Sequence, residues 1–147
     1  PEFRLLSKDF EHTTISYKIK SKPNSTFNLE VLSPLLRLLE KKGPTSQKYK
    51  FDELDMNSRR LGDQGLARLS EVLQHPHCNI KRLFFRRNLI TDTTRLATLT
   101  QLKILDLHSN QINNISGLAT LTQLEVLNIS GNQMTNITGL ATLTQLI

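Results

Sequence analysis

The chain has 147 residues, of which 37% are hydrophobic and 22% are charged, a composition typical of one globular domain. No apolar run approaches the ~18–20 residues of a membrane-spanning helix, and no signal peptide opens the sequence, so we expect no membrane insertion. A single cysteine excludes an internal disulfide framework and favours a reducing compartment, which predicts a cytoplasmic location.

The net charge of +6 is concentrated at the N-terminal end. Residues 1–50 carry 10 Lys and Arg against 5 Asp and Glu, whereas residues 102–147 carry 1 against 2. A basic end suits an acidic protein, a membrane surface or a nucleic acid, but a solvated lysine-rich surface also accounts for it. Few aromatic residues and no nucleic-acid motif disfavour nucleic-acid binding.

The first fifty residues contain no repeat. The tripeptide Pro-Glu-Phe at 1–3 reads as a cloning-site remnant, and we exclude it from the fold. Alternating apolar and polar residues over 14–20 predict a short half-buried strand. The Ser-Pro pair at 33–34 predicts the start of a helix at about 34–42, because the serine can accept from an unpaired backbone N–H and proline needs none. We expect residues 4–50 to cap one end of the core that the later residues form.

From residue 51 to the end the sequence is periodic. The heptapeptide Leu-Ala-Thr-Leu-Thr-Gln-Leu occurs three times, 22 residues apart. A fixed period of 20–29 residues with leucine at set offsets is the signature of a leucine-rich-repeat solenoid, an α/β fold with a parallel sheet on one face. The units are placed at 51–79, 80–101, 102–123 and 124–145, with another starting at 146.

Each unit predicts a short strand at offsets 3–7, counted from its first residue. Side chains at offsets 4 and 6 should point into the core, and they are Leu54 and Met56, Leu83 and Phe85, Leu105 and Leu107, and Leu127 and Ile129. The 29-residue first unit has room for a helix at about 64–74, which Asp63 can cap. The 22-residue units have room only for a 3₁₀ turn or an extended segment.

Asparagine stands at offset 9 in three units, as Asn88, Asn110 and Asn132. A buried asparagine offers two donors and an acceptor, so these residues are predicted to form a structural ladder that satisfies turn backbone groups. Arg59 holds this offset in the first unit, where either its side chain turns outward or the turn differs.

Two family resemblances rest on these motifs. Residues 54–85, LDMNSRRLGDQGLARLSEVLQHPHCNIKRLFF, resemble the ribonuclease-inhibitor type of leucine-rich repeat, which also occurs in NOD-like receptors. The 22-residue units resemble those of the protein phosphatase 1 nuclear regulator, of internalins and of many bacterial repeat proteins. Members of this family are mostly protein-binding scaffolds, so the resemblance implies a protein partner.

Side chains at offsets 3, 5 and 7 alternate with the core and should lie on the concave sheet face. Arginine and aromatic residues are favoured at interfaces, so we predict a partner-binding patch of Phe84 between Arg82 and Arg86, with Arg87 beside them. Its neighbours on the same face are Glu53, Asp55, Asp106 and His108. The alternative is that Glu53 and Asp55 pair with these arginines, a surface interaction worth only ~0–1 kcal/mol per pair.

Other kinds of site have weaker support. His75, His77 and Cys78 bring three ligand types together, but a zinc site needs four, and Cys78 is expected to pack as a small apolar residue. Asp106 and His108 can hydrogen-bond, but no nucleophile has an evident place beside them. We therefore predict no metal, no cofactor, no small-molecule substrate and no catalysis.

Three functions remain open. The first is a protein-interaction scaffold. The second is the regulatory or substrate-targeting portion of a larger protein, such as a bacterial effector acting in a host cytoplasm or an NTPase receptor, whose enzymatic part lies outside this chain. The third is anionic-surface or nucleic-acid binding by the basic N-terminal end.

The last unit leaves its core leucines without a further unit to cover them. The third heptapeptide ends at Leu146, so Leu140, Leu143 and Leu146 are expected to be exposed. The chain is therefore expected to be a fragment, or its C-terminal end to pack against another molecule, with self-association among the candidates.

Overall fold

The computed structural model describes residues 3–8, 15–21, 49–75, 78 and 80–147. The helix predicted at 34–42 lies outside these described residues. Within them, no helix is both long and apolar enough to cross a membrane.

Six strands form one sheet whose spatial order is the order of the chain. They are β1 (Phe3–Lys8), β2 (Ile15–Ser21), β3 (Tyr49–Asp55), β4 (Arg82–Phe84), β5 (Ile104–Asp106) and β6 (Val126–Asn128). β1 and β2 pair antiparallel, and every later pair is parallel. Parallel strands need a crossover connection, which each unit supplies on the opposite face.

The N-terminal part of this sheet extends further than the sequence indicates. β2 occupies the segment in which alternation predicts a strand. β1 is not predicted, and it begins at Phe3, inside the excluded tripeptide, where Phe3 pairs with Ser21. That the tripeptide is a cloning remnant stays a prediction.

The crossovers differ between the long unit and the short ones, as their lengths predict. The first unit contains helix α1 (Gly62–Leu73). The later connections contain 3₁₀ segments at Thr94–Leu96, Ser116–Leu118 and Thr138–Thr142. The solenoid architecture with helical and 3₁₀ turns on the convex side is thus confirmed.

Asp63 does not cap α1, and that prediction is wrong. The N-cap is Leu61, which makes no side-chain cap hydrogen bond. The Asp63 carboxylate instead accepts hydrogen bonds from the backbone N–H and hydroxyl of Thr91 and from the backbone N–H of Asp92. Burial alone would raise the pKa of Asp63, but these hydrogen bonds outweigh it and lower the pKa. Asp63 therefore fastens the helix-bearing unit to the next one.

The core is a column of leucines and isoleucines between the sheet and the crossovers. Successive inward residues are in register, Leu54 with Leu83, Leu83 with Leu105, and Leu105 with Leu127. The first three are fully buried, and burying one such side chain stabilises the fold by roughly 1.5–3 kcal/mol. In the last unit Leu127 and Ile129 are only partly buried.

The C-terminal leucines are not equally exposed. Leu143 is buried, contrary to expectation, and belongs to the hydrophobic core. Leu140 is half-buried and Leu146 is exposed.

The three asparagines form the ladder that their spacing predicts. The Asn88 amide accepts from the backbone N–H groups of Arg59 (2.9 Å) and Leu61 (3.3 Å), and donates to the carbonyl of Met56 at 2.8 Å. The Asn110 amide makes the same hydrogen bonds one unit later, and the Asn132 amide makes a similar set with fewer buried contacts. Each amide thereby joins the turn of its own unit to the previous unit.

Arg59 fits neither alternative that the sequence suggests. Its side chain is fully buried rather than turned outward. Its turn is also ordinary, since positive φ angles at Ser58 and Arg60 match those at Arg87 and Leu89 one unit later. The first unit therefore keeps the common turn while placing an arginine where its successors have asparagine.

Candidate functional site

The outward sheet face consists of three rows of side chains, brought side by side by the parallel register. Each row holds the residues at one odd offset of the four units. The rows are Glu53, Arg82, Ile104 and Val126; then Asp55, Phe84, Asp106 and Asn128; then Asn57, Arg86, His108 and Ser130.

Arg82 is held by acidic residues of the neighbouring strand. Its guanidinium lies 3.0 Å from the Glu53 carboxylate and 3.2 Å from that of Asp52. The alternative of internal ion pairing thus holds for Glu53. The partner that sequence reasoning missed is Asp52, which precedes the predicted outward row by one residue. The Asp55 carboxylate accepts a hydrogen bond from the backbone N–H of Asn57 at 3.0 Å.

Arg86 is held in a similar way by Asp106. Its Nε lies 2.5 Å from Oδ2 of Asp106, and the other carboxylate oxygen accepts from the backbone N–H of His108 at 3.1 Å. Asp106 is only 5% exposed. Asp106 therefore belongs to the predicted row, but its carboxylate is buried and ion-paired with Arg86.

His108 is bound by two serines rather than by the Asp106 carboxylate. Its Nδ1 lies 2.8 Å from the Ser130 hydroxyl and its Nε2 lies 2.9 Å from the Ser109 hydroxyl. The Ser130 hydroxyl donates to the Asn128 amide oxygen at 2.7 Å, so in the neutral ring Nδ1 donates to Ser130 and Nε2 accepts from Ser109.

This arrangement places a hydroxyl beside the histidine that the sequence did not indicate. In a serine–histidine catalytic pair, a carboxylate orients the ring through its second nitrogen. Here that nitrogen faces the neutral hydroxyl of Ser130 at the surface. The contacts order the turn after β5 and tie it to the turn after β6.

Between the ion pairs lies a strip of apolar side chains, formed by Phe84, Ile104 and Val126 and named here the apolar strip. Phe84 and Ile104 are half-buried, and Val126 is 46% exposed. Ile104 and Val126 are register partners on adjacent strands. Only Phe84 was singled out from the sequence. The overlooked signal is a β-branched apolar residue at offset 3 of both later units.

The remaining predicted residue, Arg87, lies on the turn after β4. It is exposed and has a φ of 55°, the left-handed conformation that recurs at this offset. It therefore stands at the edge of the sheet face, unlike Arg82 and Arg86, which lie on it.

A separate cavity of about 370 Å³ opens on the convex side, where the helix-bearing unit meets the first short one. It is lined by Leu73, Gln74, His75, Cys78, Thr98, Leu99 and Gln101. Burial raises the pKa of the Cys78 thiol to about 12, so the thiol is neutral at physiological pH. His77 lies outside the described residues, and those that are described contain no cluster of three metal-ligating side chains.

Comparison with known proteins agrees with this architecture. A family model for leucine-rich repeats, in two copies, matches residues 78–120. NACHT, LRR and PYD domains-containing protein 3 of Macaca mulatta is 48% identical over 42 residues, which are 29% of this chain and 4% of that protein.

Two solved structures from Listeria monocytogenes are similar over a longer stretch. Internalin C2 gives a TM-score of 0.57 at 38% identity, covering 65% of this chain and 39% of its own. An internalin, inlF, gives a TM-score of 0.54 at 29% identity, covering 67% of this chain and 26% of its own. The chain therefore spans well under half the length of each of these proteins. Sequence and structure comparisons lead to the same architecture, and the chain is a leucine-rich-repeat protein.

Proposed function

We propose that this protein is an interaction module whose protein partner docks on the outward sheet face, over the apolar strip. Leucine-rich-repeat folds commonly mediate protein–protein interaction, and the backbone of a paired parallel sheet is already ordered before a partner binds, which lowers the cost of binding. The observation that carries the proposal is the position of Phe84, Ile104 and Val126, which are apolar, adjacent and accessible on that face.

The ion pairs around the strip support this location. Arg82 is paired with Asp52 and Glu53, and Arg86 is paired with Asp106. Such pairs form a polar rim around an apolar centre, which is the usual anatomy of a protein interface. In this proposal the arginines predicted as the binding patch form the rim of the interface, and the centre of the interface lies nearer to β5 and β6.

A pair of matched variants tests the proposal. Val126→Ser removes an exposed aliphatic side chain from the strip, and Ile137→Ser removes one that is 61% exposed but lies outside the sheet. Partner capture from a lysate of the source organism, quantified by mass spectrometry, should fall at least tenfold with Val126→Ser and with Phe84→Ala. Capture should be unchanged with Ile137→Ser. Equal capture by all folded variants would remove the strip as the binding site.

The second candidate is that this module targets a larger protein. The matched proteins are much longer than this chain, which covers 4%, 39% and 26% of three of them. Sequencing the natural open reading frame tests this candidate. A frame that encodes only these repeats would contradict it.

Self-association is a further candidate with a specific observation behind it. β6 is the last strand of the sheet, and Leu127, Ile129, Met134 and Leu140 beside it are only partly buried. The backbone N–H of Ile147 donates to the Glu125 carbonyl at 2.9 Å, as Glu125 donates to Lys103. A second molecule can therefore continue the stack, and light scattering over a concentration series would detect it. A monomer at every concentration would refute this candidate.

The basic N-terminal end stays a candidate for anionic surfaces. Its lysine and arginine side chains lie outside the described side chains. Salt-dependent binding of the whole chain to heparin, weakened by a Lys18→Glu and Lys20→Glu double variant, would support it. Binding that the double variant leaves unchanged would not.

A further inference from the structure

We propose that Asn57 is a positioning residue of the docking face, whose side-chain oxygen holds the backbone after Phe84 and leaves that position free for an aromatic ring. The proposal rests on the docking face described above and adds a supporting residue to it. It is drawn from a hydrogen bond that one unit lacks and the preceding unit supplies.

The turn after the strand is held by a local side chain in three of the four units. These units carry Asp or Asn at offset 5, and its side-chain oxygen accepts a hydrogen bond from the backbone N–H at offset 7. Such a bond gives a backbone group of the turn a partner within its own unit. The three oxygen-to-nitrogen distances are 3.0, 3.1 and 3.1 Å, for Asp55 with Asn57, Asp106 with His108 and Asn128 with Ser130.

The unit that contains β4 is the exception. Phe84 stands at its offset 5 and offers no acceptor, so the backbone N–H of Arg86 has no such partner in its own unit. This N–H donates to the side-chain oxygen of Asn57 instead, at 2.7 Å. Asn57 lies beside Arg86 because Asp55 and Phe84, two residues earlier, are register partners. Among the four units, asparagine stands at offset 7 only here, next to the one unit without Asp or Asn at offset 5.

Two departures from the repeat therefore compensate for each other. Phe84 breaks the local pattern although its ring lies on the outward face and is only half-buried. Local rules are typically broken at functional positions and compensated elsewhere in the structure. Aromatic side chains are also favoured at the centres of protein interfaces. The pair thus favours a binding role for Phe84, with Asn57 preserving the turn that follows it.

Asn57 also fixes one side of Arg86. Its oxygen binds the Arg86 backbone, while the Asp106 carboxylate binds the Arg86 guanidinium from the opposite strand. Asn57 is itself held, since its backbone N–H donates to Asp55. Loss of the Asn57 side chain should therefore loosen the end of β4 on which Phe84 and Arg86 stand.

The test is a double-mutant cycle of Asn57→Ala and Phe84→Asn in the whole chain. Phe84→Asn restores an acceptor at offset 5 without adding charge, as Asn128 does in the last unit. Urea unfolding measures stability, and NMR measures hydrogen exchange of the Arg86 amide. The control is Asn114→Ala, which removes the same kind of bond, from the Ser116 N–H at 2.9 Å, at a position outside the six strands.

The expected result is coupling between the two positions. Asn57→Ala should raise the unfolding equilibrium constant roughly fivefold and accelerate Arg86 amide exchange about tenfold. Both effects should disappear when Phe84→Asn is present, because the new amide then accepts the Arg86 N–H. The effect of Asn114→Ala should be the same with and without Phe84→Asn. Asn57→Asp keeps the acceptor oxygen, so Arg86 exchange should stay at the wild-type rate. Unchanged Arg86 exchange in Asn57→Ala, or an Asn57→Ala effect that Phe84→Asn leaves as large, overturns the proposal.

Partner capture separates a positioning residue from a contact residue. Asn57→Ala should reduce capture, whereas Asn57→Asp and Asn114→Ala should retain it. A loss with Asn57→Asp as large as with Asn57→Ala would show that the amide nitrogen contacts the partner directly, and the positioning role would fall. If coupling is absent but Phe84→Ala still loses the partner, the docking face stands and only the role of Asn57 falls. If capture survives Phe84→Ala, the docking face falls and the positioning role falls with it.

Discussion

Replacing Asn110 by alanine should be among the most damaging single changes in the repeat region. The Asn110 amide oxygen accepts from the backbone N–H of Asn88 at 2.9 Å and of Ile90 at 3.1 Å. Its amide nitrogen donates to the carbonyls of Phe85 and Leu107, each at 2.9 Å. The residue is buried, so water cannot easily replace these bonds.

The expected cost is obtained by counting the groups left without a partner. The Leu107 carbonyl keeps a second donor in the Asn132 amide at 3.0 Å. Three backbone groups lose the hydrogen bond that the Asn110 side chain provides, namely the N–H groups of Asn88 and Ile90 and the carbonyl of Phe85. At ~1–3 kcal/mol for each buried unsatisfied group, Asn110→Ala should lower the free energy of unfolding by about 4 kcal/mol. That is a large part of the roughly 5–15 kcal/mol typical of a domain.

Asn132→Ala is the matched control. It removes the acceptor of the Ile112 N–H at 3.0 Å and the donor to the Ile129 carbonyl at 2.8 Å. The Leu107 carbonyl still has the Asn110 amide. Asn132 is only partly buried, so water can replace part of the loss, and about 1–2 kcal/mol is expected. Urea unfolding followed by circular dichroism measures both values. Costs that agree within about 0.5 kcal/mol would refute the burial argument.

Three further predictions concern other positions. Gly117→Ala should destabilise the fold strongly, because an added Cβ would lie 2.0 Å from the Thr93 carbonyl oxygen. Gly139→Ala should destabilise it only weakly, because the atom nearest to an added Cβ is 3.9 Å away. Equal melting temperatures of the two variants would contradict this prediction. The pKa of the Cys78 thiol is raised from 9.0 to about 12, so stability should fall as pH rises from 9 to 12, and Cys78→Ala should flatten that fall in unfolding curves. The lowered pKa of Asp63 stabilises the fold above pH ~4 and loses this effect as pH falls, so Asp63→Asn should destabilise at pH 7 and converge with wild type in acid; a difference that does not depend on pH would refute it.

The periodic part of the fold was predictable because each unit repeats the same pattern of inward apolar positions. Leu83 and Leu105 occupy the same offset and are both fully buried, as alternation along a strand requires. The asparagine ladder was equally predictable, since an amide at a fixed turn position can meet backbone groups of two adjacent units. β1 was missed because six residues without a clear alternation gain their pairing from β2 rather than from their own pattern.

The site was less predictable than the fold. The offset of a residue in its unit indicates which sheet face its side chain occupies, but not which side chains it contacts there. The sequence correctly placed Arg82 on the outward sheet face. Its contact with Asp52, thirty residues away, depends on the register in which β3 and β4 pair. Asp63 lay at a plausible capping position, yet its carboxylate accepts hydrogen bonds from Thr91 of the next unit. Asp106 shares its offset with the half-buried residues Asp55, Phe84 and Asn128 and is nevertheless buried, with its carboxylate paired to Arg86.

These contacts decide which residues a partner can recruit. Arg82 is held by two half-buried carboxylates, those of Asp52 and Glu53, so an acidic partner residue has to compete with both of them. Arg86 is harder to recruit, because leaving Asp106 would uncover a buried carboxylate. Arg87 forms no ion pair among the described residues, so its recruitment breaks no existing pair and costs only the ordering and desolvation of its own side chain. On the docking face proposed above, we therefore expect a partner to gain most from the apolar strip and Arg87 and least from Arg86, although sequence reasoning ranked the three arginines together.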